Sequence, residues 1–399
     1  MKRFEYLLMF VFVLGFGGVV TQFYSTTFEV ISILLILLFV SSKKMHIDQV
    51  GLKGVIIFAL MSIISAVATS TSILSYAGFF IRPFLALMVL AAFSYDYPQI
   101  KERLSGVLKV VAWLAVANFF VVMLFHGYMP VLTAPTGYSV HTIGFIFNYH
   151  AETTRFGIDF IRNEGLFWEP GVLVILMNIY VYLILFEYNQ RISHTFLPIF
   201  VIITTASTSG YLVLSFILMI YFLKSLQKGR HKIFVILIGA GIFAALFPII
   251  REEVVFKTTE GIGSTNKRYF DLIAPFELAK QHPLFGIGPN VETYLHETRN
   301  MTVDLGEYTI SHETGSSNLF ATLFAFYGIP MALLFFYALY RQNIFKKKWL
   351  LFLIIVIGMF SEPMAFCHLY FLFIMSGFVK ERVRFSSNNL QKSITCESC

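Results

Sequence analysis

Apolar residues run through this chain in long blocks broken by short polar stretches, and the blocks are too long for the core helices of a water-soluble domain. Uninterrupted apolar windows predict membrane-spanning helices near residues 4–23, 28–42, 52–70, 73–94, 106–126, 166–186, 194–206, 209–223, 232–250, 316–340, 349–360 and 364–379. Two pairs are short, each half below the roughly 17 residues that usually cross a bilayer. One pair hinges at Ser207-Thr208-Ser209-Gly210 and the other at Ser361-Glu362-Pro363, so each is a tilted or re-entrant hairpin that goes out and comes back. The expected fold is an all-α polytopic bundle of about twelve segments with two large outer-face loops, 127–165 and 251–315, together about 100 residues. They separate N-terminal helices (1–126), central helices (166–250) and C-terminal helices (316–379) from one another, with a tail at 380–399. The second loop contains Tyr269, Phe270, Leu272, Ile273, Phe276 and Ala279 on one helical stripe, with Arg268, Asp271, Glu277 and Lys280 at its polar positions. Such a helix lies on the membrane surface or caps the bundle.

Composition agrees with the pattern. Of 399 residues 57% are hydrophobic and 13% charged, against 45–50% apolar in an average soluble domain. Mean hydropathy is +0.73, which excludes a soluble enzyme, a secreted disulfide scaffold and a disordered chain. The formal charge of +7 is distributed by topology: with the N-terminus inside, 21 of the 30 Lys and Arg residues fall on inner segments. Nucleic-acid binding therefore loses its motive. The N-terminal Met-Lys-Arg and the apolar run after it read as an uncleaved first helix. Three cysteines, Cys367, Cys396 and Cys399, cannot frame a disulfide fold, and they fall within or inside the last span.

Three groups of residues carry chemistry. Arg82 lies nine residues into a span entered from outside, roughly 13 Å deep; it is a ligand for an anion, or the partner of a structural carboxylate such as Glu29. Glu169 stands beside Pro170 at the entry to the sixth span, and is either a general base or a helix-start residue favoured by the dipole. Arg162, in the same stretch, is an anion ligand or an ordinary loop charge. Arg155, Arg162, Arg251, Lys257, Lys267, Arg268 and Arg299 face outward against the topological grain, and guanidinium forks suit phosphate; Arg251 and Arg268 are the preferred pair. His282, His296 and His312 share a loop with Glu292, Glu297 and Glu313 without the spacing of a metal helix, so no metal is expected. The glycines of Gly286-Ile287-Gly288-Pro289 permit close backbone approach to a ligand.

His282-Pro283-Leu284-Phe285-Gly286-Ile287-Gly288-Pro289-Asn290, about 15 residues after Arg268, resembles the signature that ends the large periplasmic loop of O-antigen polymerases and ligases. In that superfamily the signature leads to a polar pair, nine residues and a glycine, and Ser317-Asn318, nine residues and Gly328 match that spacing. Gly165–Gly171 (Gly-Leu-Phe-Trp-Glu-Pro-Gly) and the Ser207–Gly210 turn resemble polymerase features upstream. The motifs cover roughly 160–330. Ligases usually place His before the Asn of the pair where this chain has Ser317, with His312 five residues earlier, and that departure favours the polymerase.

The resemblance implies a bacterial inner-membrane enzyme with cytoplasmic termini and periplasmic loops. It would be a metal-independent inverting glycosyltransferase, needing no cofactor, that moves a growing glycan from undecaprenyl pyrophosphate onto a lipid-linked repeat unit. Arg82, Arg162, Arg251, Arg268, Arg299 and Asn318 are then expected to bind pyrophosphate or glycan, with Glu169, or else His312, as the base. The expected partners are the lipid-linked oligosaccharide, membrane lipid and a separate chain-length regulator protein. Two other readings stay open. One is a ligase using lipid A-core as acceptor; the other is a lipid-linked oligosaccharide flippase, although transporters favour paired midplane charges and short loops on both sides.

Overall fold

The computed structural model describes residues 2–135, 137–150, 152–155, 158–226, 262–299, 301, 303–304, 309–310, 316–362 and 367–379. The first expected span, 4–23, is two helices: α1 (Lys2–Leu14) and a short α2 (Val19–Phe23). The break falls at Gly15–Gly18, where Gly17 has φ +141° and Trp168 donates its backbone N–H to the Gly17 carbonyl at 3.1 Å. Then come α3 (Ser25–Ser41), α4 (Gln49–Ala68), α5 (Ala77–Ala92) and α6 (Tyr97–Phe125). Asp48 and Asp96 start α4 and α6 by accepting the backbone N–H groups of Gly51 and Gln99 at 2.9 and 3.0 Å.

The loop expected between 127 and 165 departs from the all-α expectation. It holds an antiparallel sheet of β1 (Val131–Thr133), β2 (Ser139–Ile143) and β3 (Phe147–Tyr149), and a hairpin of β4 (Glu152–Arg155) and β5 (Ile158–Ile161). Val140, Thr142, Asn148 and Tyr149 are buried in the sheet; in β2 the buried positions alternate, as in a one-sided strand. The strands are three to five residues long, too short to stand out against the apolar runs around them.

Next come α7 (Pro170–Tyr182), prolonged by a π-turn over Leu183–Glu187, then α8 (Phe196–Thr204) and α9 (Thr208–Leu226). The chain resumes in α10 (Ile262–Gln281), α11 (Val291–Thr298), a two-residue ladder of β6 (Val303–Asp304) and β7 (Thr309–Ile310), α12 (Leu319–Arg341), α13 (Lys348–Ser361) and α14 (His368–Ser376). Among the described residues five helices are long and apolar enough to cross a membrane, and four shorter apolar ones accompany them. The expected span at 232–250, together with Arg251, Lys257 and His312, lies outside the described residues.

Helix α7 is the axis of the bundle: every residue from Pro170 to Phe186 is buried. The apolar side chains of α3 and α4 that face outward, Ile31, Leu34, Leu38, Ile56, Leu60, Ile64 and Val67 among them, form a surface suited to lipid. Helix α10 is the expected amphipathic helix. It buries Phe270, Ala274, Leu278 and Ala279 and packs along α12, so it caps the bundle.

The opposite ends of the helices differ in chemistry. At one end Glu5 accepts from Lys43 Nζ (3.0 Å), Arg103 Nε (2.9 Å) and Gln99 Nε2 (3.0 Å). At the same end Glu187 takes Lys101 Nζ at 2.7 Å and the Lys346 backbone N–H at 2.6 Å. The other end, where α7 begins, carries the sheet, the end of α8 and the hinge between α13 and α14.

Candidate functional site

The stretch Arg162–Glu169 is fixed by the helices around it before α7 begins. Asn163, buried, donates Nδ2 to the Ala115 carbonyl of α6 at 3.0 Å and to Thr204 Oγ1 of α8 at 2.9 Å. Its Oδ1 accepts from Asn118 Nδ2 at 3.1 Å, and Asn118 Oδ1 accepts the Asn148 backbone N–H at 2.6 Å. Three buried amides therefore lock the sheet, α6 and this turn to one another, and a fully satisfied network of that kind is rigid. Val19 closes the far side by donating its N–H to the Leu166 carbonyl at 2.9 Å.

Glu169 is the N-cap residue of α7, and its side chain makes no capping bond, so the carboxylate is left for other work. It is half-buried. Glu164 is 3% exposed; one oxygen accepts the His150 backbone N–H at 3.2 Å and the other has no hydrogen-bond partner. Glu362, 5% exposed, ends α13 and reaches across to the first turn of α7, where its Oε1 fills the space that a Cβ on Gly171 would take. Arg162 donates Nε to the Thr205 carbonyl at 3.0 Å and faces both Glu164 and Glu362. Arg268, exposed on α10, also acts electrostatically on Glu362. Tyr138 donates its hydroxyl to the Trp168 carbonyl at 2.9 Å and stacks on His150 with ring centres 5.0 Å apart.

The electrostatics arise from burial. Glu164 is held well above the ordinary carboxylate range by desolvation and then by the Glu169 charge, with Arg162 pulling the other way. Burial and Glu169 push the Glu362 carboxyl up to about 8, against Arg268 and Arg162. The Tyr138 hydroxyl is raised by burial and by Glu164 and Glu169. Three carboxyls and two guanidinium groups thus influence one another electrostatically near the start of the central helix.

Of the residues expected from sequence, Glu169, Arg162 and Arg268 each act on the Glu362 carboxyl. Arg82 does not: its guanidinium pairs with Glu29 at 3.1 Å, the structural alternative for this residue, and the same carboxylate faces His368 Nε2 at 3.4 Å. Arg299 is exposed at the end of α11, and among the described residues no bond joins it to the cluster. Asn318 is buried as the N-cap of α12, its Oδ1 accepting the Ala321 N–H at 3.0 Å. Ser317 is fixed by Asp271 of α10, whose Oδ2 accepts both its hydroxyl and its N–H, the latter at 2.9 Å. Arg251 and His312 lie outside the described residues.

Gly286 and Gly328 approach backbone closely. Gly328 (φ +76°) kinks α12, and the loop after α10 docks into that kink. Ile287 donates its N–H to the Ala325 carbonyl at 2.9 Å, Gly288 to Phe326 at 3.1 Å, and Ile329 to Pro283 at 2.8 Å. A Cβ on Gly286 (φ +67°) would collide with Ala325 and Phe326, and one on Gly328 with Leu284. The spacing from His282–Asn290 to Gly328 is therefore a docking code for two elements. Sequence reasoning passed over Glu164, Glu362 and Asp271; the available signal was an ionisable residue, Glu362, between two apolar half-spans.

A mostly helical, apolar protein whose central helix begins beside two buried carboxyls, with guanidinium groups acting on them, is the class that fold and site define. Residues 194–336 match the family described as O-antigen ligase. The match supports a place in the O-antigen ligase/polymerase superfamily and a glycosyltransferase-like role in glycan assembly, coarser than either polymerase or ligase. No curated protein matches the chain. Glu164 and Glu169 precede the matched region and Glu362 lies beyond it, whereas Arg268 and the docking code lie inside it.

Proposed function

We propose that this protein is a polysaccharide polymerase of the O-antigen type. It transfers a growing glycan from undecaprenyl pyrophosphate to a lipid-linked repeat unit at the periplasmic face of the bacterial inner membrane. What supports the reading is that the charges of Arg162, Arg268 and Glu169, whose carboxylate makes no capping bond, all act on the buried Glu362 carboxyl beside the head of α7. The acceptor hydroxyl gives its proton to Glu169 as its oxygen bonds to the anomeric carbon. The bond from that carbon to the pyrophosphate oxygen breaks, and the leaving pyrophosphate keeps the electron pair. Arg162 and Arg268 are suited to the charge that develops there, with no metal in the scheme. Attack opposite the leaving group inverts the anomeric centre. The lipid tail would lie against the apolar faces of the bundle.

A ligase is the second reading, favoured by the description of the matched family. Ser317, hydrogen-bonded to Asp271 and engaged in a helix junction, weighs for the polymerase. A gel of surface polysaccharide from a strain lacking the gene separates them: core carrying a single repeat unit means polymerase, and core carrying none means ligase or flippase. Arg268→Ala should insert normally and yield no polymer. Wild-type polymer length and amount in that mutant would remove Arg268 from the site.

A further inference from the structure

The site holds more carboxyls than a base requires, and two of them, Glu164 and Glu362, are 3% and 5% exposed. Among the described residues neither Glu164 nor Glu362 has a cation within ion-pair distance. One Glu164 oxygen is buried with no hydrogen-bond partner at all. A carboxylate so placed loses its hydration without compensation, and such a group takes up a proton instead. The groups that face Glu362 are Glu169 from the head of α7, Arg162 and Glu164 from the turn before it, and Arg268 from α10. Tyr138 and the stacked His150 ring stand behind Glu164, and Asp271, one turn along α10, is taken up by Ser317.

Charge counting gives these buried groups a purpose. With both neutral, two guanidinium charges stand against the Glu169 carboxylate and the site is net positive by one. With both ionised it is net negative by one, and an anionic headgroup is repelled. We propose that Glu362 is a specificity-determining residue that works as a neutral carboxylic acid. Uncharged, it leaves Arg162 and Arg268 free for a diphosphate-headed lipid; as a carboxylate it takes that capacity away. Gly171 is part of the device, because only a residue without a Cβ lets the carboxyl seat against α7, away from water. The proposal rests on the glycosyltransferase reading above and names what selects its donor.

Glutamine reproduces the neutral acid, so the test is whether Glu362→Gln resists alkaline pH. The purified full-length protein is titrated with undecaprenyl diphosphate at pH 7 and pH 9, with undecaprenyl monophosphate for comparison. Wild-type affinity should fall about tenfold over that interval, and that of Glu362→Gln less than about twofold, since one ionisation is worth at most tenfold per pH unit. Comparing variants at each pH removes the titration of the lipid's own phosphates. Equal losses in the two proteins, or failure of Glu362→Gln to bind at pH 7, would overturn the proposal. Glu362→Leu, equally unable to ionise, is read in the same way should the first variant not fold. A wild-type protein that binds neither lipid at either pH overturns the glycosyltransferase reading together with this one. Binding whose pH dependence survives in Glu362→Gln overturns this one alone.

Discussion

At the scale of single residues, Gly171 and Glu362 define each other. A methyl group on Gly171 would overlap the Glu362 carboxyl, so Gly171→Ala must drive that side chain out of its seat. We expect the variant to accumulate in the membrane yet make little polymer, read from a polysaccharide ladder and a blot of the inserted protein. A full ladder would mean that Glu362 can move at no cost to transfer. The same carboxyl sets a pH dependence of stability. Its folded value, about 8, lies above the ordinary 4.5, so the folded state binds the proton more tightly than the unfolded chain does. Its contribution is complete below about pH 4.5 and is lost as pH rises through about 8. Melting temperature should therefore fall between pH 5 and pH 9, and Glu362→Gln should flatten that slope.

At the scale of elements, α10 and α12 act as one unit. Asp271 gathers the N–H and hydroxyl of Ser317 just before the Asn318 cap, and one turn earlier on the same helix stands Arg268. Asp271→Ala strands both donors of Ser317, at a cost of about 1–3 kcal/mol. It should also loosen the placement of Arg268. A lower melting temperature with a larger loss of polymer than of folded protein is the expected result; unchanged transfer would separate the junction from the site. The apolar stripe of α10 was readable from sequence because helical spacing survives any context. The β-strands were not, since their short alternation at Val140–Thr142 and Asn148 is indistinguishable from an ordinary polar loop until the Asn118–Asn163 network is seen.

For the whole molecule, the two ends predict an orientation. The Glu5–Arg103–Lys43 and Glu187–Lys101 clusters gather basic residues at one end, and the positive-inside rule predicts that this end is cytoplasmic. On that prediction the candidate site would face the periplasm. Cysteine placed at Tyr128, 87% exposed beyond α6, should react with a membrane-impermeant thiol reagent added to spheroplasts. Cysteine at Asn189, just past the π-turn at the basic end, should not. The reverse labelling pattern would put the carboxyl–guanidinium cluster on the wrong side for a periplasmic transferase.

The sequence alone determined that the chain is mostly helical and where its long apolar helices fall, because hydrophobic length is a local property summed along the chain. It singled out Glu169, Arg162 and Arg268, each visible as a charge beside an apolar run. The tertiary structure decided which of those charges meet. It paired Arg82 with Glu29, a carboxylate 53 positions away. It turned the Gly286–Gly328 spacing into a backbone junction, and it brought Glu362 from nearly 200 residues downstream against Gly171. Burial made the last of these consequential: a glutamate is an ordinary acid by its sequence and becomes a neutral one only where packing removes its water.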